Sequence, residues 1–186
     1  LVSSFNNSIS GSNLMNNNGW GVIFTEHSDN NILSGNNIVG NGEGVVIAWY
    51  SAGNKIYHNN FLNNGIQARV SLTEDANFWN NDYPSGGNFW SNYVGVDEKS
   101  GPNQDQPGSD GIGDTPFVID ADNQDHYPLK KPYPWNPHDI GITDITTSKT
   151  IVAQGYTLQI NVTIMNYGKY TESFNVSVFY DETVII

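Results

Sequence analysis

Cysteine is absent from the 186-residue chain. That excludes disulfides, thiolate metal sites and cysteine nucleophiles together. Basic residues are scarce: Lys+Arg total 7 against 19 Asp+Glu, for a formal charge of −12, and Arg69 is the single arginine. Nucleic-acid binding needs clustered cations to replace counterions, so that function class is excluded. The same shortage argues against an anionic lipid surface and against a polyanionic substrate. No apolar run approaches the ~18 residues of a membrane-spanning helix, and no signal-peptide pattern is expected within this stretch. The 3.6-residue period of an amphipathic helix is missing from every window.

What the chain has in quantity is asparagine, glycine and an internal repeat. Asn7-Ser-Ile-Ser-Gly-Ser-Asn-Leu14, Asn31-Ile-Leu-Ser-Gly-Asn-Asn-Ile38 and Asn54-Lys-Ile-Tyr-His-Asn-Asn-Phe61 superimpose. A decayed fourth copy starts at Asn77, with Trp79 in the apolar slot. The lead asparagines stand at 7, 31, 54 and 77. A second line aligns Asn18–Phe24 with Asn41–Ile47 and Asn64–Val70, which puts the one extra residue of the first step in the turn Asn16-Asn17-Asn18.

A period of this length means a solenoid. Segments of four to seven residues, with apolar residues two apart (Val22 and Phe24, Val45 and Ile47, Ala68 and Val70), read as strands. The expected fold is all-β: a right-handed parallel β-helix in residues 1–96, including an aromatic closing segment. Ile9, Leu33 and Ile56 form one inward column, and Leu14, Ile38 and Phe61 another. Asn13, Asn37 and Asn60 stack beside the second, where asparagine suits left-handed corners and coil-to-coil amide bonds. Trp79, Phe89, Trp90 and Tyr93 are placed to cover the end of the core, since an open end exposes apolar surface and strand edges.

The repeats resemble those of NosD-like and carbohydrate-binding/sugar-hydrolase (CASH) proteins, many of them archaeal surface proteins. Pro84–Tyr93, Asp110–Phe117 and Asn123–Leu129 resemble the closing segment of NosD-like helices. That resemblance implies a surface β-helix. It also implies, through the family name alone, copper-site maturation of nitrous oxide reductase. Copper favours His, Met and Cys ligands. His27, His58, His126 and His138 are scattered, and Met15 and Met165 fall in different domains, so copper is disfavoured.

Residues 97–131 form an acidic Gly/Pro-rich loop and cap, with Phe117–Ile119 and Tyr127–Leu129 as strand-like returns. Within residues 97–126 stand Asp97, Glu98, Asp105, Asp110, Asp114, Asp120, Asp122 and Asp125, with Lys99 the only cation. Calcium takes six to eight oxygens from such a loop. Asp105, Asp110 and Asp114 are the candidate ligands, with Asp97, Asp120 and Asp122 in reserve and Asn103, Gln104 and Ser109 as neutral oxygens. The alternative is a solvated loop held by aspartate turns. Residues 132–137 are a proline-rich linker. In residues 138–186, Ile140 and Ile142, Leu158 to Ile164, and Phe174 to Tyr180 alternate as antiparallel strands do. This resembles the start of an immunoglobulin-like, CARDB-like module. Only about four strands fit where a sandwich needs about seven, so self-association through the open face is an expectation.

Both ends read as cut, so the chain is expected to be a piece of a longer extracellular protein. Its expected role is structural or adhesive, without catalytic residues, contacting polysaccharide or another surface protein. Trp20, Trp49 and Tyr50 lie at turns or strand ends, where outward aromatics either shield the coil edges or stack on sugar rings. The alternative is a polysaccharide lyase or glycoside hydrolase whose site lies in coils outside this sequence. Paired carboxylates on neighbouring coils are the mark of a glycosidase. Glu26 and Glu43 occupy different rows, and Asp29 matches only Asp75, two coils on. The sequons at Asn6, Asn161 and Asn175 are as expected by chance at this composition.

Overall fold

A computed structural model describes residues 1–73, 76–134, 140–149, 153, 155–166, 171, 173–176, 179–180 and 183–184. The chain divides into two compact units, Leu1–Trp135 and Asn136–Ile186. Every regular element among the described residues is a strand.

Nine strands build the first unit's body in three turns of chain. They are β1 (Ser8–Ser10), β2 (Asn13–Met15), β3 (Trp20–Phe24), β4 (Ile32–Ser34), β5 (Asn37–Val39), β6 (Glu43–Ala48), β7 (Lys55–Tyr57), β8 (Asn60–Leu62) and β9 (Ile66–Ser71). They sort into three parallel sheets, β1-β4-β7, β2-β5-β8 and β3-β6-β9. β10 (Phe89–Trp90) joins the second beside β8. Each strand therefore pairs with the one three elements later, one coil up, which is the arrangement expected of a β-helix. Both inward columns are as read: Ile9, Leu33 and Ile56 are in register, as are Leu14, Ile38 and Phe61. Leu33, Ile38, Ile56 and Phe61 are fully buried. Each such side chain contributes about 1.5–3 kcal/mol. The short strands hold together because the columns, not the strands, are the continuous packing element.

Two details depart from the sequence reading. Asn17, not Asn18, pairs with Asn41, through Nδ2 to Oδ1 at 2.9 Å. Trp20 then stands opposite Glu43, so the extra residue lies at Asn18–Gly19 rather than in Asn16–Asn18. The Asn13–Asn37–Asn60 column sits within strands, not at left-handed corners. The left-handed residues at three of the corners are Asn6, Asn30 and Gly53, then Gly11, Gly35 and His58, and then Asn16, Gly40 and Asn63. Each directly precedes a rung of one of three other ladders. In the first ladder Asn7, Asn31 and Asn54 each donate their backbone N–H to the Oδ1 of the next rung, ending at Asn77. In the second Ser12, Asn36 and Asn59 do the same, ending at Asn88. In the third Asn17 and Asn41 lead to Asn64. Corners break the strand ladder and would leave buried donors unpaired. An inward amide supplies the missing acceptor, which is why asparagine follows the left-handed residue at each of these corners, except for Ser12 after Gly11.

The closing segment continues the core. Trp79 and Trp90 are buried, and Trp90 lies between Phe61 and Phe117 with ring centroids 4.2 Å from each. Three two-stranded or bridged elements follow. β11 (Lys99–Ser100) pairs with β12 (Gln106–Pro107), and β13 (Phe117–Val118) pairs with β14 (Gln124–Asp125), both antiparallel. The expected strand at Tyr127–Leu129 is replaced by single bridges from Leu129 to Phe89 and to Ile112. Ile112 is buried, so it and Phe117 anchor the acidic stretch.

In the second unit β15 (Ile140–Thr147) pairs antiparallel with β16 (Ile160–Asn166), with a bulge between Ile142 and Asp144. β17 (Phe179–Tyr180) pairs with β18 (Thr183–Val184). Ile160, Val162 and Ile164 share a half-buried face. Leu158, expected on that face, precedes the strand and is exposed. Phe174 and Val176 are exposed and lie in no strand, because β17 begins only at Phe179. Asp75, Trp135–Asp139, Gln154, Tyr167, Gly168 and Val178 lie outside the described residues, and with them the second half of the linker, residues 135–137.

Candidate functional site

The outer face of β3-β6-β9 carries the most distinctive side chains of the first unit. Trp20, Glu43 and Ile66 are in register on successive coils. Plain alternation would turn them inward with Val22 and Val45. Glycine lets the chain reset: at Gly44 an added Cβ would lie 2.4 Å from the Gln67 carbonyl oxygen and 3.2 Å from the Phe61 ring. The backbone therefore sits close against the next coil and the preceding residue swings out. Trp20 and Ile66 are about half exposed.

Arg69 reaches diagonally across this face to Glu43. Its Nε donates to Oε2 at 2.6 Å and its Nη2 to Oε1 at 3.1 Å. The Arg69 hydrogen bond holds the Glu43 carboxyl below its usual range, helped by the Arg69 charge and a Trp20 hydrogen bond and opposed by burial. Arg69 is raised in turn by its bond to Glu43. Both side chains are partly solvated, so the pair orients more than it stabilises. Its chemical meaning is that the only arginine carries a carboxylate partner and offers a neutral, planar surface beside Trp20. Trp49 and Tyr50 follow β6 at a corner where both take left-handed backbone, and both are about half exposed. Tyr50 stacks on His27 at 5.5 Å. Thus Trp20 opens a strand of the third sheet, and Trp49 and Tyr50 close the next one.

The acidic candidates are spread among backbone donors. Asp114 accepts from the Glu98 and Lys99 N–H groups. Asp110 accepts from Ile112 and Gly101 N–H and from Gln104 Nε2. Asp105 accepts from Gln106 Nε2. Asp97, held in reserve by the sequence, is a hub: it accepts from Ser109 Oγ and from the Asp110 and Gly111 N–H groups. Among the described residues no three His, Asp or Glu side chains come together as a metal site would require. Gln104 is buried, and its Oε1 has no partner among the described residues.

Asp125, which the sequence shows only as one of eight acids and not as a site residue, is the most perturbed group among the described residues. It is fully buried, and its Oδ2 accepts from Asn88 N–H at 2.7 Å and Trp90 Nε1 at 2.9 Å. Oδ1 accepts from Tyr127 N–H at 3.1 Å. Burial pushes this carboxyl up to about 7 against the pull of those donors. It occupies the place of a fifth rung above Asn88, so its role is to close the second ladder.

A family model described as periplasmic copper-binding protein (NosD) matches residues 1–95. No curated protein and no solved structure matches the chain. Copper takes imidazole, thiolate and thioether donors. His27 is stacked on Tyr50; His58 lies 3.9 Å from the Tyr133 ring, with its Nε2 2.8 Å from the Ser85 carbonyl. His126 is exposed and His138 is outside the described residues. Met15 and Met165 belong to different units. The described donors do not fit a copper centre.

Proposed function

The chain belongs to the NosD family, and we propose that it acts outside the cytoplasm as a non-catalytic β-helical module whose outward aromatics contact carbohydrate. The family's periplasmic description supports that location. The observation that carries the reading is the exposure of Trp20, Trp49 and Tyr50, beside a core that buries Trp79 and Trp90 completely. The half-exposed Trp20 ring beside the fixed Glu43–Arg69 pair supplies the flat apolar face and the polar edge that a sugar presents in reverse, and Trp49 and Tyr50 add further exposed rings. Affinity electrophoresis of the full chain through soluble cell-surface polysaccharides tests it. Retardation that weakens in Trp20→Ala and in Trp49→Ala is expected; no retardation in any polysaccharide removes the reading.

A second reading concerns calcium at the acidic loop, and the buried, unpartnered Gln104 Oε1 favours it. Gln104 and Asp110, already joined at 3.1 Å, would be its centre, with Asp105 and Asp114 as outlying ligands. Calorimetry with calcium, and magnesium as control, decides it: binding abolished by Asp110→Asn supports the site, and no heat with either ion removes it. We further read the coil as right-handed and CASH-type, and the hairpin of the second unit as the opening of a CARDB-like module of surface proteins.

A further inference from the structure

We propose that the Trp20–Glu43–Ile66 column and the cleft at its upper end form a subsite for an uncharged oligosaccharide. This rests on the carbohydrate-contact reading and narrows it to one ligand class. The cleft is about 550 Å³ and lies between β9, residues 91–92 and the β13 hairpin. That is within the usual range for a small-ligand site. Ile66 belongs both to the column and to the cleft lining. Trp20 and Ile66 stand two coils apart, about 10 Å at the strand spacing, so one short glycan chain touches both.

The lining decides the class. It consists of amides, one hydroxyl, backbone and apolar side chains, and no residue in it is charged. Gln67 is buried and fixed: its Nε2 donates to Ser91 Oγ at 2.9 Å and Asn92 Oδ1 at 3.3 Å, and its Oε1 accepts from Asn64. Asn63 and Asn92 are exposed at the rim. An amide both donates and accepts, as a sugar hydroxyl does. Ile66 and Val118 add half-exposed apolar surface for the C–H face of a ring. Along β9 from the cleft, the one cation on this face, Arg69, is already bound to Glu43. The second cleft bordering β9, about 510 Å³, is lined by Asp120 and Asp122 with no basic residue, so an anionic chain continuing along β9 meets carboxylates. Uronate or sulfate groups have no counter-charge here, whereas a neutral glycan has matching amides and an aromatic platform.

The test is titration calorimetry of the full chain with uncharged cellohexaose, maltohexaose and mannohexaose, and with hexagalacturonate, at low and high salt. At least one uncharged hexamer is expected to bind with an affinity independent of salt, since no ion pair is formed. Asn92→Ala and Trp20→Ala should each weaken it about tenfold, roughly the loss of one good contact. Both residues are exposed, so unchanged melting curves confirm that the variants fold. Tighter, salt-sensitive binding of hexagalacturonate leaves carbohydrate contact standing and overturns the uncharged class. Binding lost in Trp49→Ala but untouched by Asn92→Ala and Trp20→Ala places the contact elsewhere and overturns this subsite. Failure of every hexamer, together with every polysaccharide in the electrophoresis assay, ends both.

Discussion

Asp125 makes the stability of the first unit depend on pH in a way that few exposed acids could. Its carboxyl is moved from 3.8 to about 7, chiefly by burial. The folded chain therefore holds the proton more tightly than the unfolded chain, by about 4 kcal/mol at about 1.36 kcal/mol per pH unit. The sign follows from that. Below about pH 4 both states are protonated and the contribution is complete. Between about pH 4 and 7 the unfolded chain has released the proton and the folded chain has not, so stability falls as pH rises. Above 7 the folded carboxyl is charged, and the contribution is gone. In a unit of this size the full change is worth roughly 10 °C in melting temperature. Other carboxylates also titrate, and relief of the −12 charge acts in the same direction, so the informative quantity is the difference from Asp125→Asn. An asparagine there still accepts from Asn88, as every rung below does, but opposes the Tyr127 N–H with its own donors. The variant should be close to wild type at pH 8 and clearly less stable at pH 5, by about 2–3 kcal/mol from the same slope. Urea titrations followed by tryptophan fluorescence report this directly, because Trp79 and Trp90 are buried in the same core. Parallel pH profiles for the two proteins would refute the argument.

Three further outcomes follow from the packing. Asn59→Ala removes the acceptor of the Asn36 N–H and Nδ2, and the donor to Leu33, Tyr57 and Asn88. It should cost about 3–5 kcal/mol in urea unfolding, as a loss of several buried bonds, whereas Asn13→Ala, which loses one exposed bond to Asn37, should cost under about 1 kcal/mol. Gly44→Ala drives a Cβ to 2.4 Å from the Gln67 carbonyl and should destabilise by about 1–3 kcal/mol or more; Gly11→Ala, with φ +59 but open space around it, should cost only about 1–2 kcal/mol. The β15–β16 hairpin leaves Ile142, Ile145 and Met165 exposed, so its amides should exchange with solvent faster than those of β5 and β6, and equal protection would contradict this.

The parts that the sequence revealed are those that repeat. A step of 23 or 24 residues places Leu14 under Ile38 and Ile38 under Phe61 without any knowledge of the backbone, because a strand register cannot slip without turning a whole column outward. Trp49 and Tyr50 fall after the strand, where no inward column runs, whereas Trp20 shares a row with Glu43 and Ile66 that alternation alone would turn inward. What stayed hidden does not repeat. Glu43 and Arg69 meet across one coil and three residues, so no row of the alignment contains both, and only the rarity of arginine hinted that Arg69 had a particular partner. Asp125 was harder still. Eight acids crowd residues 97–126, and by composition they are equivalent. Only one is withdrawn from water, and the reason lies at the other end of the ladder. Asn88 follows Asn59 by 29 residues instead of 23, because the Asn77–Gly87 excursion intervenes. The rung above it is then supplied by a chain segment returning from the acidic loop. A repeat can be read as long as each coil feeds the next. Where the stack ends, the last open amide must be satisfied by residues from outside the period, and there identity is set by the unpaired donor that needs closing. A carboxylate in that place satisfies the Asn88 and Trp90 donors and brings a charge into the core, and this is why the end of the ladder, rather than any rung within it, should carry the pH dependence.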